Sequence, residues 1–523
     1  MRYTGVRALG TGALAAVLAT GTTGAAPLPA DHGGTAPFYG QSIAWEPCRT
    51  QQELDALDPD AGGGNPLWLA PFECGEVTVP LDYADPGGDT FTLAVARRPA
   101  EDGDAQGSLV VNFGGPGLSA IDAAAHPFLS RQVREAFDLV LVDPRGVGRS
   151  GAVACTGEEA LREAVADAAR HDPEQIPAGV LRALGDASRD HLAGCLSRTG
   201  RDRLTAVGTV NTVRDLDIVR DALGDPRLTY LGYSYGTHIG SLYASMYPEN
   251  TRAVVLDGVV DPGPGLGRSL AEQQVEGVAR AWRGVVGHCV DTLPDCPFTS
   301  TGAAEEETRE LLDLFEEQGH TVDGREITGD RLMELVAAHL ALEQSWPQLA
   351  AFFTGIAQGG TDEVFRTYLE YLAADPEPLD TPGHGAAFHA VTCADEPGPL
   401  RMEDLRRAAA DAARDAPLFG TARVWSGAAC VSWPRTETAP QGYSAAAAPP
   451  IVLIGARQDP ATPYIWAERM HRRLTTSVLV TYEGGGHTVY GYGRSVCVDE
   501  PVDDYLLTGE PPEPGTTCPS TLS

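Results

Sequence analysis

A serine between two glycines, in the stretch G-Y-S-Y-G at 232–236, could be a nucleophile. A serine hydroxyl is a weak nucleophile at neutral pH, so its chemistry requires a base that takes the proton and a third group that holds the base. The five-residue pattern alone is weak evidence, because glycine accounts for 60 of the 523 residues. The alternative is an ordinary serine in a glycine-rich chain, and the neighbouring elements must decide.

The elements around the serine fit a nucleophile turn. The run Leu228–Tyr233 is typical of a buried strand, and Thr237–Tyr247 has a helical pattern. A sharp strand-to-helix turn holds its nucleophile in a strained backbone conformation and needs small neighbours, which Gly232 and Gly236 supply. We therefore predict that Ser234 is the nucleophile.

Candidates for the acid and the base follow two late apolar runs. On an α/β-hydrolase fold the chain order is serine, acid, histidine. Asp459 directly follows IVLIGARQ, and His487 directly follows SVLVTYEGGG. Alone, Asp459 could be a turn-forming D-P and His487 a surface histidine, but together with Ser234 they predict a catalytic triad. Four other histidines are expected to be structural or solvated: His288, His384, His389 and His471.

An oxyanion hole needs two backbone amides. We expect one from Tyr235, which follows the nucleophile, and the other from the N-F-G-G-P-G loop, where glycines let amides approach a ligand closely. Gly115 is the predicted donor and Gly114 the alternative. An ordinary loop is the competing interpretation of this segment.

The elements that must position these residues alternate between strands and helices. Apolar runs within Ser108–Gly117 and Phe137–Ser150 read as buried strands that end in glycine-rich loops. From Pro262 to Ser444 helical patterns dominate, and strand patterns then return. The predicted fold is an α/β-hydrolase fold, a mostly parallel sheet built from 45–261 and 445–523, with a helical cap at 262–444.

The N-terminus has the layout of a secretory leader. Arg2 and Arg7 precede a short apolar stretch, and small residues follow. We expect a signal peptide at 1–30, cleaved near Ala26 or Ala30, and a possible propeptide or N-terminal extension at 31–44. No later segment has the pattern of a membrane span, so we expect a secreted, extracellular protein without stable membrane association.

Ten cysteines, without a C-x-x-C pair or an accompanying histidine cluster, favour disulfides over a metal site. Sequence cannot fix their connectivity, and pairing each cysteine with its neighbour along the chain is a guess. The guessed pairs are Cys48–Cys74, Cys155–Cys195, Cys289–Cys296, Cys393–Cys430 and Cys497–Cys518.

The chain is strongly acidic, with a formal net charge of −34. This charge argues against binding to nucleic acid or to anionic lipid. It favours solubility, with steering of cationic substrates as the alternative. Nothing in the sequence defines the oligomeric state, and we expect a monomer.

Five motifs resemble one known family: GGPG at 114–117, DPRGVGRS at 143–150, GYSYG at 232–236, QDPATP at 458–463 and GGGH at 484–487. They are similar to those of α/β-hydrolase peptidases related to proline iminopeptidase, and the secreted tripeptidyl aminopeptidase-like branch is nearest. The similarity runs from about Trp45 to Cys518. One departure is Phe113, where proline iminopeptidases usually carry a histidine.

The resemblance implies removal of short N-terminal peptides, or of single residues, from peptide substrates without a metal or organic cofactor. Such an enzyme must recognise a free ammonium group, which calls for acidic side chains near the substrate. The candidates are Glu272, Glu276, Asp395 and Glu396.

Two other functions remain open. A secreted esterase or lipase would use the same triad on the same fold. A binding protein that has lost catalysis is the third interpretation, and it predicts a broken triad, whereas all three members are present in this sequence.

Overall fold

The computed structural model describes residues 34–50, 72–101, 103–123, 129–263, 265–322, 324–360, 363–373, 384–398, 400–434, 436 and 443–522. The predicted signal peptide, its candidate cleavage positions and the first residues of the predicted extension lie outside these ranges. The strands, the site and most of the cap lie within them.

A ten-stranded sheet forms the centre of the molecule, in the order β1-β2-β3-β5-β4-β6-β7-β10-β11-β12. The first three strands pair antiparallel, as do β3 and β5, and the other neighbours pair parallel. The strands are β1 (Glu46–Pro47), β2 (Glu73–Pro80), β3 (Thr90–Arg98), β4 (Ser108–Asn112), β5 (Asp138–Val142), β6 (Leu228–Tyr233), β7 (Thr251–Asp257), β10 (Ile451–Gln458), β11 (Ser477–Gly485) and β12 (Thr517–Cys518), with a separate antiparallel pair β8 (Thr321–Val322) and β9 (Arg325–Glu326).

Helices cover the sheet and build the cap. Up to β7 they are α1 (Ala120–Ala123), α2 (Arg131–Ala136), α3 (Glu158–Ala169), α4 (Ala178–Thr199), α5 (Arg201–Ala206), α6 (Thr209–Ala222) and α7 (Tyr235–Met246). Between β7 and β10 they are α8 (Leu266–Thr292), α9 (Ala304–Gln318), α10 (Gly329–His339), α11 (Trp346–Ala357), α12 (Glu363–Ala373), α13 (His384–Ala394), α14 (Met402–Asp415) and α15 (Gly420–Ser426). The last two are α16 (Tyr464–Arg473) and α17 (Val496–Thr508), and short 3-10 turns lie at Ala36–Phe38, Pro248–Asn250, Glu343–Ser345 and Gly427–Cys430.

The central strands are apolar throughout because both faces of the sheet are covered. Every residue of β4 and β6 is buried. Within β4, Val110 packs into the core on one face, and Leu109 and Val111 pack into the core on the other face. This alternation explains why the runs read as continuous apolar segments in the sequence. The predicted mostly parallel sheet with an inserted helical block is confirmed.

The cap has an apolar core of its own, in which Trp282, Phe298 and Phe353 pack against one another. Two helices from the first part of the chain also pack against another part of the cap. The Ser188 hydroxyl on α4 donates to the Ala428 carbonyl over 2.7 Å, and the Leu161 side chain on α3 belongs to the same buried cluster as Trp425. Both helices lie within 45–261, the segment predicted as the first part of the hydrolase core.

Five disulfides tie the structure together, and they join the pairs guessed from the order along the chain. The bonds are Cys48–Cys74, Cys155–Cys195, Cys289–Cys296, Cys393–Cys430 and Cys497–Cys518. His191 lies beside Cys155 and Cys195, but both sulfurs belong to a disulfide and offer no thiolate to a metal. In the described part of the chain, no helix is both long and apolar enough to pass through a bilayer.

Candidate active site

Ser234 lies on a strained turn between β6 and α7. Its backbone has φ 52° and ψ −123°, a conformation that an L-residue rarely adopts. The turn is anchored because the Ser234 amide donates to the Asp257 carbonyl over 2.9 Å. Both flanking glycines are needed, since a Cβ at Gly232 would lie 2.4 Å from the Gly236 carbonyl oxygen and one at Gly236 would lie 2.7 Å from the Asn112 carbonyl oxygen.

His487 and Asp459 form a hydrogen-bonded pair at the same edge of the sheet. The His487 Nδ1 atom lies 3.0 Å from Asp459 Oδ1 and 2.9 Å from Asp459 Oδ2. The carboxylate is buried and is held in turn by the Ala461 amide at 2.7 Å and by the Thr462 amide at 2.8 Å. The Thr462 hydroxyl donates to Asp459 Oδ2 over 2.7 Å and lies 3.3 Å from His487 Nδ1. The pair therefore has a fixed orientation.

The surroundings of His487 favour its protonated form. Burial lowers the pKa of the imidazole, but the charge of Asp459 and its hydrogen bond to the ring outweigh that effect and raise the pKa above its usual value. Asp257 adds to the increase, and Arg494 opposes it. A base of this kind can take a proton and hold it during a reaction.

Ser234 and His487 line one cavity of about 770 Å³. Its other walls come from the oxyanion loop, the residues just before α2, the segment after His487 and α17, and they include Phe113, Leu118, Tyr233, Tyr490 and Tyr492. The cavity is thus formed by core residues at the carboxyl edge of the sheet, where α/β proteins place their ligands.

The predicted oxyanion loop packs directly against the serine turn. Gly114 and Gly115 have φ values of 96° and 99°, which favour glycine. A Cβ at Gly114 would lie 2.6 Å from the Tyr233 carbonyl oxygen and 2.8 Å from the Ser234 Cβ atom. The Gly114 amide already donates to the Asn112 side-chain oxygen over 3.0 Å, which favours Gly115 as the oxyanion donor. Tyr235 begins α7, so its amide lies at a helix N-terminus.

Asp395, one of the four predicted ammonium-binding residues, lies in a buried network. Its Oδ1 atom accepts from the Thr209 amide over 2.9 Å, and its Oδ2 atom accepts from the Thr209 hydroxyl. The same hydroxyl lies 2.6 Å from the Tyr235 hydroxyl, and His238 Nε2 lies 3.7 Å from the Asp395 carboxylate. Asp395 therefore joins α13 to α6 and lies close to α7, the helix that follows Ser234.

The other three candidates differ in exposure. Glu396 is buried, its Oε1 accepts from the Arg268 amide over 2.8 Å, and burial raises the pKa of its carboxyl. Glu272 is half-buried, and burial raises its pKa too, with Arg268 opposing the effect. Glu276 is exposed and pairs with Arg280 at 2.5 Å. Among the described residues that line the cavity with Ser234 and His487, none of the four candidates is found.

Three residues that the sequence motifs do not single out support the site from behind: Asp257, Thr462 and Asn112. Asn112 and Asp257 end strands β4 and β7 next to Ser234, and Thr462 holds Asp459. The available signal was position, because all three residues lie just at or beyond the carboxyl end of a strand of the parallel sheet.

A strained serine turn, an Asp–His pair and a mostly parallel sheet with a helical cap define a serine hydrolase of the α/β-hydrolase class. A family model described as "TAP-like protein" matches residues 416–518, which include Asp459 and His487.

Relatives cover almost the whole chain. "Serine protease Hip1" of Mycobacterium tuberculosis is 34% identical over 502 residues, which are 92% of each chain. "Tripeptidyl aminopeptidase" of Streptomyces lividans is 30% identical over 494 residues, 91% of this chain and 86% of the relative. "Carboxylesterase B" of Mycobacterium tuberculosis is 34% identical over 466 residues, 85% of this chain and 86% of the relative. The chain belongs to the TAP-like family of α/β-hydrolase serine peptidases.

Proposed function

We propose that this protein is a secreted serine aminopeptidase that releases short N-terminal peptides, or single residues, from peptide substrates through an acyl-enzyme. The observation that carries the proposal is the Asp459–His487 pair, held 2.9 Å apart and opening into one cavity with Ser234 on its strained turn. The relatives named serine protease and tripeptidyl aminopeptidase support the peptidase activity.

In the first half-reaction His487 takes the proton of the Ser234 hydroxyl as this oxygen attacks the scissile carbonyl. The Asp459 carboxylate keeps the proton of the ring on Nδ1, so that Nε2 is the basic atom, and it stabilises the imidazolium cation that forms. The Gly115 and Tyr235 amides hold the oxyanion. His487 then gives its proton to the leaving amine, which departs as the shortened peptide.

In the second half-reaction water replaces the leaving amine. His487 takes a proton from the water, the resulting hydroxide attacks the ester carbonyl, and Ser234 recovers its proton as the released fragment leaves. Every proton thus passes through one imidazole. The chain's own residues account for both steps.

Recognition of the substrate N-terminus is proposed for the cap and its edge, through Glu272, Glu276, Asp395 or Glu396. An ammonium group that loses its hydration must find a carboxylate, and a partly buried carboxylate gives a stronger charge-assisted bond than an exposed one. Glu272 combines partial burial with partial exposure, whereas Glu276 is already paired with Arg280 in solvent.

Export is supported by the five disulfides and by the leader-like pattern at 1–30. Disulfides of this kind persist in an oxidising compartment. The proposal therefore places the enzyme outside the cell, acting on peptides there.

An esterase of the same fold is the second candidate, and the relative named carboxylesterase B favours it. Purified protein would be incubated with peptides of two to six residues, each free or N-acetylated, and with matched short-chain esters. The aminopeptidase releases a fragment from the free peptides only, and the fragment mass gives its length. Hydrolysis of the esters without cleavage of any peptide would overturn the peptidase proposal. Ser234→Ala is the control for contaminating enzymes.

A further inference from the structure

One residue outside the triad forms hydrogen bonds with the backbone at Ser234 and with the backbone just after His487. Asp257 is the last residue of β7 and is fully buried. Its carbonyl oxygen accepts from the Ser234 amide over 2.9 Å. Its Oδ2 atom accepts from the Val489 amide over 2.7 Å and from the Tyr490 amide over 2.8 Å. Asp257 thus joins the nucleophile turn to the turn that follows His487.

The turn after His487 is strained and needs outside support. Thr488 has φ 60°, one of two positive values found among non-glycine residues of the described chain, the other being that of Ser234. Such a conformation persists only where surrounding groups fix it. The two amides that donate hydrogen bonds to Asp257 directly follow Thr488. Arg494 donates a hydrogen bond to the Thr488 carbonyl over 2.8 Å.

The backbone next to Asp257 also approaches the imidazole itself. A Cβ at Gly258 would lie 2.9 Å from His487 Cε1 and 3.1 Å from the Thr488 Cγ2 atom. A movement of the Asp257 segment would therefore displace the ring. Glycine at 258 leaves the ring room to lie against the strand end.

The two hydrogen bonds to Asp257 require neither a negative charge nor a second oxygen. A neutral amide oxygen at this position could accept both bonds. The second oxygen, Oδ1, is buried and has no hydrogen-bond partner in the described part of the chain. A buried, incompletely satisfied carboxylate is unfavourable, so its presence next to a catalytic imidazole points to a use for its charge.

The groups that face Asp257 come from three segments. They are Asp459 after β10, His487 and Tyr492 after β11, and Tyr233 at the end of β6. Arg494 acts on His487 and opposes its protonation. Burial is the main reason that the pKa of Asp257 is raised to about 7, and the charge of Asp459 adds to the increase. The hydrogen bonds from the Val489 and Tyr490 amides and the charge of His487 oppose it. Asp257 and His487 therefore titrate as a coupled pair, in which the protonated imidazole favours the ionised carboxylate and the ionised carboxylate favours the protonated imidazole.

We propose that Asp257 is a positioning residue for the catalytic histidine: its carboxylate fixes the turn that aims His487, and its negative charge favours the protonated imidazole. This inference rests on the proposed function only in taking His487 as the base. Removal of the charge should make the imidazole less basic. Activity that requires neutral His487 should then persist to lower pH.

A series of variants separates the two roles. Asp257→Asn keeps an acceptor and removes the charge, so the acid limb of kcat/KM should shift to lower pH by about half a unit or more, with KM unchanged on the plateau. Asp257→Ala also removes the acceptor, so kcat should fall at least about tenfold. Asp257→Glu keeps the charge and should keep the parent's acid limb even where kcat falls.

Asp143 provides a matched control. It directly follows β5, is fully buried, and accepts from the Ile121 amide at 3.2 Å and the Arg149 amide at 2.9 Å. Asp143→Asn should change stability without moving the acid limb. Thermal unfolding and the pH dependence of labelling by a fluorophosphonate, measured on the same samples, separate folding from chemistry.

Three results would overturn the inference: an acid limb for Asp257→Asn that superimposes on the parent, an equal shift in Asp257→Glu, or an equal shift in Asp143→Asn. If Asp257→Asn does not fold, the acid limbs of Asp257→Glu and Asp257→Ala decide in its place. Ser234→Ala keeps this test distinct from that of the proposed function. Activity retained in Ser234→Ala would overturn the function, whereas lost activity there with an unmoved limb in the Asp257 series would overturn the inference alone.

Discussion

Polar residues at the carboxyl edge of the sheet and in the cap differ in their hydrogen bonding and exposure. At the sheet edge, Asp459 is held by two amides and a hydroxyl, and Ser234 is anchored by a backbone bond to Asp257. In the cap, Asp395 is locked into a buried network, while Glu276 faces solvent beside Arg280. At the edge, hydrogen bonds fix the Asp459 carboxylate and the Ser234 backbone, whereas in the cap burial and pairing distinguish carboxylates that look equivalent in the sequence.

Catalysis and substrate binding require different surroundings for a polar side chain. Catalytic groups gain from a fixed orientation, because the reacting atoms must meet in one geometry. Groups that bind a substrate gain from partial burial, which strengthens their contact with an ammonium group but must leave room for it. Variants at the edge should therefore change kcat, and variants in the cap should change KM.

The largest effect after loss of the nucleophile is expected at Asp459. Asp459→Asn keeps the size of the side chain but favours the wrong ring tautomer, so kcat should fall about 10³- to 10⁴-fold with little change in KM. Asp186→Asn is the control, because Asp186 is exposed and pairs with Arg189 on a distant helix. A loss below about tenfold in steady-state assays would remove Asp459 from the triad.

A large effect is also expected at Gly114. Gly114→Ala would place a methyl group 2.8 Å from the Ser234 Cβ atom at a φ of 96°, so the oxyanion loop must shift and kcat should fall about 10²-fold. Gly509→Ala is the matched control, since its φ is 83° and a Cβ there meets nothing within 4 Å. Equal activity of the two variants would show that the loop does not contribute to the site.

A smaller effect is expected in the cap. Glu272→Gln should raise KM about tenfold for peptides with a free N-terminus, about 1.4 kcal/mol of binding, and leave the rate of labelling by a fluorophosphonate unchanged. Glu276→Gln, four residues or about 1.1 helical turns further along α8 and solvent-exposed, should change little. Initial-rate measurements over a range of substrate concentrations test this. Equal KM values in both variants and the parent would exclude α8 from ammonium binding.

The smallest effect concerns stability in acid. His389 lies with Nδ1 3.1 Å from His191 Nε2, and burial lowers its pKa to about 4, with His191 adding to the effect. Below about pH 6.5 the His389 imidazole becomes protonated in the unfolded chain but stays neutral in the folded protein. The free energy of unfolding therefore falls as the pH decreases towards 4.

Urea unfolding of the parent and of His389→Phe between pH 4.5 and 7 measures this dependence. The variant should lose less stability on acidification, by on the order of 1 kcal/mol. His288→Gln, at a partly exposed position of α8, is the control and should follow the parent. Parallel curves for all three proteins would show that the buried histidine pair has no part in acid sensitivity.

The sequence was sufficient for features that are local. The strand Leu228–Tyr233 has the predicted bounds, and the sheet with its helical insertion follows from apolar runs that end in glycine or aspartate. Asp459 and His487 could be found because each follows such a run. Their hydrogen bond is a consequence of strand order, since β10 and β11 are neighbours in the sheet.

Features that depend on distant parts of the chain could not be predicted. The Asp257 carboxylate binds amides 232 and 233 residues further along, and its D-G sequence looks like an ordinary turn. The packing of α4 on the cap includes a hydrogen bond between Ser188 and Ala428, 240 residues apart. The cap carboxylates share one residue type and one acidic background, so only three-dimensional burial separates them.

Ser234 and His487 are expected to act as one unit. This expectation is tested most directly by kcat/KM for Ser234→Ala, His487→Ala and the double variant, measured on one free peptide. Because either single change already removes proton transfer, the double variant should lose no more activity than the more damaged single variant. Losses that multiply in the double variant would show that the two residues act independently, which would contradict a shared proton transfer.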